Sequence, residues 1–225
     1  EADVLRAASV FGRPVPAPGQ TCAVALYRVK DRERQERGAD FWHSDNSYME
    51  SPGGPTMLYA LQVPRGSNGD SLGDTLFADA EAAARDLPEQ LRSQVEALNA
   101  AHNMAHNGGI PLPEFVDGEW TVPADVVHPV LRRNPRSGRE ALFVSPAYVS
   151  HIVDTPADES ESLLRKLFKH TFRDCYIYRH QWQDGDLLVW DNGRLLHKAT
   201  TLDLPRGAER LMWRVQSLEP VTGQS

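Results

Sequence analysis

The stretch FWHSDNSY, residues 41–48, sets a histidine and an aspartate two positions apart among aromatic residues. Alternate residues of a strand, or of its frayed end, point to one side. His43 and Asp45 therefore present an imidazole and a carboxylate to one cavity. One more histidine would complete a two-histidine, one-carboxylate face, which leaves three positions on a metal open and suits non-haem Fe(II) chemistry with O2. Taken alone, H-x-D is equally the pattern of a surface ion pair. The third ligand has to come from the remaining histidines, and His197 has the setting for it. In GDLLVWDNGRLLHKAT an apolar strand, a tight turn at DNG and a second apolar strand carry it inwards. A core histidine with satisfied hydrogen bonds would look the same.

These residues need elements to hold them. DVLRAASVFG reads as a short N-terminal helix, and CAVALYRV (22–29), TMLYALQV (56–63) and DTLFAD read as strands. Residues 79–99 read as helical, with Pro88 in the first turn of a second helix. The irregular stretch 102–127 is rich in Gly, Pro and Asn and has the length of a lid. Within it His102 and His106 stand four apart; their Gly-rich neighbourhood makes them lid residues facing solvent. HPVLRRNPRSGREALFV (128–144) reads as a hairpin around NPRSG, and 158–172 as an amphipathic helix with an acidic first turn. CYIYRHQW, DLLVWDN, LLHKAT and ERLMWRVQSL are four closing strands. Strands in pairs, without regular strand–helix alternation, predict a mostly antiparallel double sheet with flanking helices: a double-stranded β-helix, or cupin-like jelly roll. No repeat or linker divides the chain, so residues 1–225 are expected to form a single domain.

Composition narrows the partners. A net charge of -7 over 225 residues, without a basic block, argues against nucleic acid. No apolar run is long enough to span a bilayer, and no signal peptide is visible. Cys22 and Cys175 form neither a metal spacing nor a disulfide framework, which predicts two buried thiols in a reducing, cytoplasmic setting. The chain starts at Glu1 rather than Met, leaving room for a preceding segment. A homo-oligomer is compatible with the sequence but not legible in it.

WHSDNSY, GDTLFAD, HPVLRRNPRSGREALFV, GDLLVWDNGRLLHKAT and ERLMWRV, in this order, resemble the taurine dioxygenase and 2,4-dichlorophenoxyacetate dioxygenase family of Fe(II)/2-oxoglutarate oxygenases. The resemblance covers roughly residues 20–218. It implies Fe(II) as cofactor, 2-oxoglutarate and O2 as cosubstrates, and oxidation of a C–H bond with release of succinate and CO2. By the same resemblance His43, Asp45 and His197 are the metal ligands, and Arg210 grips the distal carboxylate of 2-oxoglutarate with help from the Thr75 hydroxyl. A guanidinium suits that task because it pairs with a carboxylate through two parallel hydrogen bonds. Without the motif, Arg210 would read as a solvated strand arginine beside Glu209.

Arg214 shares a strand face with Arg210, and the resemblance gives it the acidic group of a small, anionic substrate. Tyr148 falls where the family has an aromatic wall against the substrate, and Phe41, Trp42, Tyr48 and Trp190 are candidates for a dry shell. Ala39 replaces an asparagine that the taurine enzymes use, which disfavours taurine itself. Related halogenases replace the carboxylate ligand with a small residue, so Asp45 points to hydroxylation or a related oxidation. Two other readings use the same triad: a zinc-dependent hydrolase, and a non-catalytic double-sheet protein that binds metal or ligand.

Overall fold

The computed structural model describes residues 1–16, 23–30, 40–109, 124–202 and 204–218. Helix α1 (Ala2–Ser9) precedes strands β1 (Pro14–Val15), β2 (Val24–Lys30), β3 (Gly53–Gln62) and β4 (Thr75–Asp79). Short helices α2 (Ala80–Arg85) and α3 (Glu89–Val95) lead to β5 (Asn99–His102). Then come β6 (Val126–Pro129), the hairpin β7 (Leu131–Arg133) and β8 (Glu140–Leu142), and β9 (Val149–Ile152). Helix α4 (Ala157–Thr171) precedes β10 (Ile177–His180), β11 (Leu187–Asp191), β12 (Leu195–Ala199) and β13 (Glu209–Leu218).

Local chemistry explains the helix ends. The Asp79 carboxylate caps α2 by accepting from the Ala82 amide at 3.0 Å. Helix α4 opens with Asp158 and Glu159 and closes with Lys169 and His170, matching its macrodipole. It buries Leu163, Leu164 and Leu167 on one side, and Ser160 Oγ accepts from the Ile152 amide at 2.8 Å, tying it to β9.

Among the described residues every strand pairing is antiparallel. A five-stranded sheet runs β1-β13-β3-β11, with β2 also on β13; a three-stranded sheet runs β10-β4-β12. These two sheets meet across Leu58, Ala60, Phe77, Trp182, Trp190 and Met212. The remaining strands form the sheet β6-β5-β9 and the pair β7-β8, which pack with α2 and α4 around Ala83, Leu142, Ile152 and Leu167. The fold is thus dominated by antiparallel sheets with flanking helices. Among the described residues no helix is long and apolar enough to cross a membrane.

Two sequence expectations need correction here. The helical stretch expected over 79–99 stops at Val95, and Asn99–His102 is a strand whose buried Ala100 and Ala101 sit between β6 and β9. Cys175 is exposed, because in the turn Asp174–Tyr176 the tyrosine takes the inward position. Cys22, Ala39 and residues 110–123 of the expected lid lie outside the described residues.

Candidate metal centre

His43 and His197 exchange both backbone hydrogen bonds, at 3.0 and 2.8 Å, as an isolated antiparallel bridge. Such a pair stands its side chains next to each other, and the two imidazole centroids are 4.2 Å apart. Asp45 follows two residues on, and its Oδ1 lies 3.6 Å from His43 Nε2 and 3.7 Å from His197 Nε2. One donor atom from each of the three lies within 4.8 Å of the others, and all three residues are buried. The approach of the Asp45 loop to β3 requires glycine at 53: a Cβ there would stand 2.6 Å from the Asp45 carbonyl oxygen.

The protonation states suit a divalent metal. His43 Nδ1 is 2.8 Å from the Phe41 carbonyl, which can only accept. Nδ1 therefore carries the proton and Nε2 presents its lone pair to the site. Burial and the neighbouring His43 hold His197 well below the usual histidine range, so it is neutral and able to ligate. Burial pushes the Asp45 carboxyl up, but its neighbours, the Arg214 guanidinium first among them, hold it well below its ordinary value, so it is ionised. Phe77 and Trp190 pack on the His197 ring at centroid distances of 6.0 and 4.8 Å. Two neutral imidazoles and one carboxylate, closely spaced and shielded, fit Fe(II).

Arg210, on β13, is buried, and its Nε and Nη2 lack a hydrogen-bond partner. Burial lowers its pKa to about 10, partly offset by Asp74. Its guanidinium lies over the Trp182 ring at 5.4 Å. The Trp182 indole donates to Thr75 Oγ1 at 3.0 Å, leaving the Thr75 hydroxyl proton to point elsewhere. Unsatisfied buried donors beside an oriented hydroxyl fit an anionic group such as a carboxylate. Gly73, at φ +77°, makes room for this arginine: a Cβ would stand 3.0 Å from Arg210 Cδ.

Arg214 Nη2 lies 2.6 Å from Asp45 Oδ1, so the arginine reaches the triad directly. Tyr148 stands edge-on to His43 at 6.0 Å and to Tyr48 at 4.9 Å. Trp42 does not join this shell; it stacks on Phe172 at 4.8 Å and packs on the helix-side core. His102 is 1% exposed, contrary to the expected solvent-facing position. As the last residue of β5 it lies against His128 and Phe143, with neither ring nitrogen hydrogen-bonded.

Three contributors escape a reading of the sequence. Trp182 has no motif around it. Thr56, on β3, donates its hydroxyl to Asp45 Oδ2 at 2.8 Å. Asn192 reads as a turn residue in DNG, yet it is 1% exposed and its amide bonds Thr56, Gly54 and the Asp45 backbone. Its place beside the metal ligand of the same motif was the available signal.

The sequence profile of the taurine catabolism dioxygenase TauD, TfdA family matches residues 1–216. The chain belongs to this family. Among its TauD/TfdA relatives, an alpha-ketoglutarate-dependent 2,4-dichlorophenoxyacetate dioxygenase from Burkholderia sp. (strain RASC) is 35% identical over 164 residues, 72% of this chain and 53% of that protein. A dioxygenase of the same name from Cupriavidus pinatubonensis is 34% identical over 198 residues, 85% of this chain and 66% of that protein. The chain thus spans between about half and two thirds of the length of these curated relatives. The crystal structure of a taurine dioxygenase from Burkholderia xenovorans aligns with a TM-score of 0.74 at 25% identity, over 95% of this chain and 71% of that one. His43, Asp45 and His197 thus form a two-histidine, one-carboxylate triad in a TauD/TfdA chain, consistent with Fe(II) and with 2-oxoglutarate and O2 as cosubstrates.

Proposed function

We propose that the chain is an Fe(II)/2-oxoglutarate-dependent dioxygenase that oxidises a C–H bond of a small anionic substrate, by hydroxylation with or without cleavage of a carbon–heteroatom bond, or by desaturation, consuming 2-oxoglutarate and O2 and releasing succinate and CO2. The convergence of His43, Asp45 and His197 in one buried cluster carries this reading. Those three residues would hold the iron, which supplies the oxidising power when bound. Arg210 binds the distal carboxylate of 2-oxoglutarate, and Thr75 adds a hydrogen bond; the unpartnered Nε and Nη2 of Arg210 support this. Tyr148 walls the substrate, and Phe77 and Trp190 keep water from His197. Arg214, a partly buried cation at the triad, binds the acidic group of the substrate. The carboxylate in 2,4-dichlorophenoxyacetate, named for two relatives, supports an acidic substrate.

The same reading takes residues 1–225 as one domain with a jelly-roll core, supported by two antiparallel sheets that share an apolar interior. It takes the protein as cytoplasmic. A homo-oligomer remains compatible with it. The test is succinate release from 2-oxoglutarate across a panel of carboxylates, sulfonates and phosphonates, with Fe(II) and then with Zn(II). Fe(II)- and substrate-dependent succinate is the expected result, and Arg214→Ala should weaken the preference for acids. Zinc-supported hydrolysis without succinate would favour a hydrolase. Ligand binding that survives His43→Ala, with no turnover, would favour a binding protein.

A further inference from the structure

We infer that Thr56 and Asn192 are positioning residues that decide which oxygen of Asp45 faces the metal; this rests on the triad being the iron site. The Asn192 amide is oriented without ambiguity. Its Oδ1 accepts from two groups that can only donate, the Asp45 backbone amide and the Trp190 indole, both at 3.1 Å. Its Nδ2 therefore has two protons to place. One goes to the Gly54 carbonyl at 2.7 Å and the other to Thr56 Oγ1 at 2.9 Å.

Thr56 is completely buried, so no solvent competes for its hydroxyl. Because Oγ1 already accepts from Asn192, its own proton is directed to Asp45 Oδ2 at 2.8 Å. The bonds run one way, from an amide anchored on β11 and the Asp45 loop, through a β3 hydroxyl, to one oxygen of the ligand. The other oxygen, Oδ1, faces both histidine Nε2 atoms and accepts from Arg214 Nη2 at 2.6 Å. Ser44 Oγ, donating to the Asn192 carbonyl at 2.7 Å, clamps the same loop from its other side. The register makes the arrangement rigid, because Thr56 lies opposite Trp190 on β11 and Gln216 on β13. The consequence is a carboxylate held for binding through one oxygen, which keeps the remaining metal positions open.

The experiment is an anaerobic Co(II) titration of the purified chain, followed by ligand-field absorption, for wild type, Thr56→Val and Thr56→Ser. Thr56→Val keeps the shape and removes the hydroxyl. It should weaken Co(II) binding by about 10- to 100-fold, the usual cost of losing a group behind a metal ligand. Its ligand-field bands should shift as Oδ2 is freed to coordinate. Thr56→Ser keeps the donor and should restore both affinity and spectrum. Wild-type affinity and bands in Thr56→Val, or equal losses in Thr56→Val and Thr56→Ser, would overturn the assignment, the second because keeping the hydroxyl would then make no difference. If Thr56→Val does not fold, Thr56→Ala is read the same way. A wild-type chain that binds no Co(II) would sink the triad itself together with this inference, whereas normal wild-type binding with an unaffected valine variant removes only the inference.

Discussion

His43 and His197 are joined backbone to backbone, each amide donating to the other's carbonyl, in an isolated antiparallel bridge between their two segments. This bridge brings together ligands from distant parts of the sequence, and it makes their separation independent of loop conformation. Asp45 then needs only the period of an extended chain to reach the same side.

Gly53 tests how tightly that geometry is set. In Gly53→Ala the new methyl meets the Asp45 carbonyl at 2.6 Å, a distance backbone cannot accept. We expect metal affinity to fall at least about tenfold, with a stability loss of about 1–3 kcal/mol, typical of overpacking. Metal titration and thermal melting measure the two effects.

Arg210 should show the opposite balance of binding and stability. Arg210→Met removes a buried cation with unpartnered donors, while Asp74 keeps its ion pair with Arg179. We expect 2-oxoglutarate binding at least about 30-fold weaker, corresponding to ~2 kcal/mol for losing one side of a buried charge pair. The melting temperature without 2-oxoglutarate should not fall, because no buried charge is orphaned. Calorimetric titration beside a melting curve separates the two.

Trp182→Phe removes the indole donor that orients the Thr75 hydroxyl. Affinity for 2-oxoglutarate should drop by a few fold, the effect of about 1 kcal/mol from one hydrogen bond. Metal affinity should stay unchanged, since Trp182 touches none of the three ligands, and parallel titrations with metal and with 2-oxoglutarate check both.

The pH dependence should carry a signature of His102. Burial, aided by His128, lowers its pKa from 6.5 to about 3. Between those values the unfolded chain binds a proton that the folded chain does not. Stability from this residue is therefore intact above about pH 6.5 and declines as pH falls towards 3, by up to roughly 5 kcal/mol. His102→Phe, which keeps a flat ring on Phe143, should flatten the acid limb of the stability curve measured by urea unfolding.

His102 also marks the limit of what the sequence discloses. Its Gly- and Asn-rich neighbours read as loop, and only the pairing of β5 with β6 and β9 reveals a buried strand end. Short strands such as NAAH and VSHI lack the alternation that made TMLYALQV and ERLMWRVQSL legible. The triad was legible because two ligands share a strand period and the third sits in a long, ordered motif. Thr56 and Asn192 were not, because their role depends on the register between β3 and β11 rather than on any local pattern. Trp42 looked like part of the site because it neighbours His43, but alternation along the chain sends it to the opposite side.

The most direct measurement is anaerobic absorption spectroscopy of the chain with Fe(II) and 2-oxoglutarate. The wild type should develop a visible metal-to-ligand charge-transfer band at one Fe(II) per chain. His43→Ala, Asp45→Ala and His197→Ala should each abolish it while leaving the far-UV circular dichroism intact. A band that persists in either histidine variant, or its absence from a folded wild type that binds both components, would contradict a shared coordination sphere.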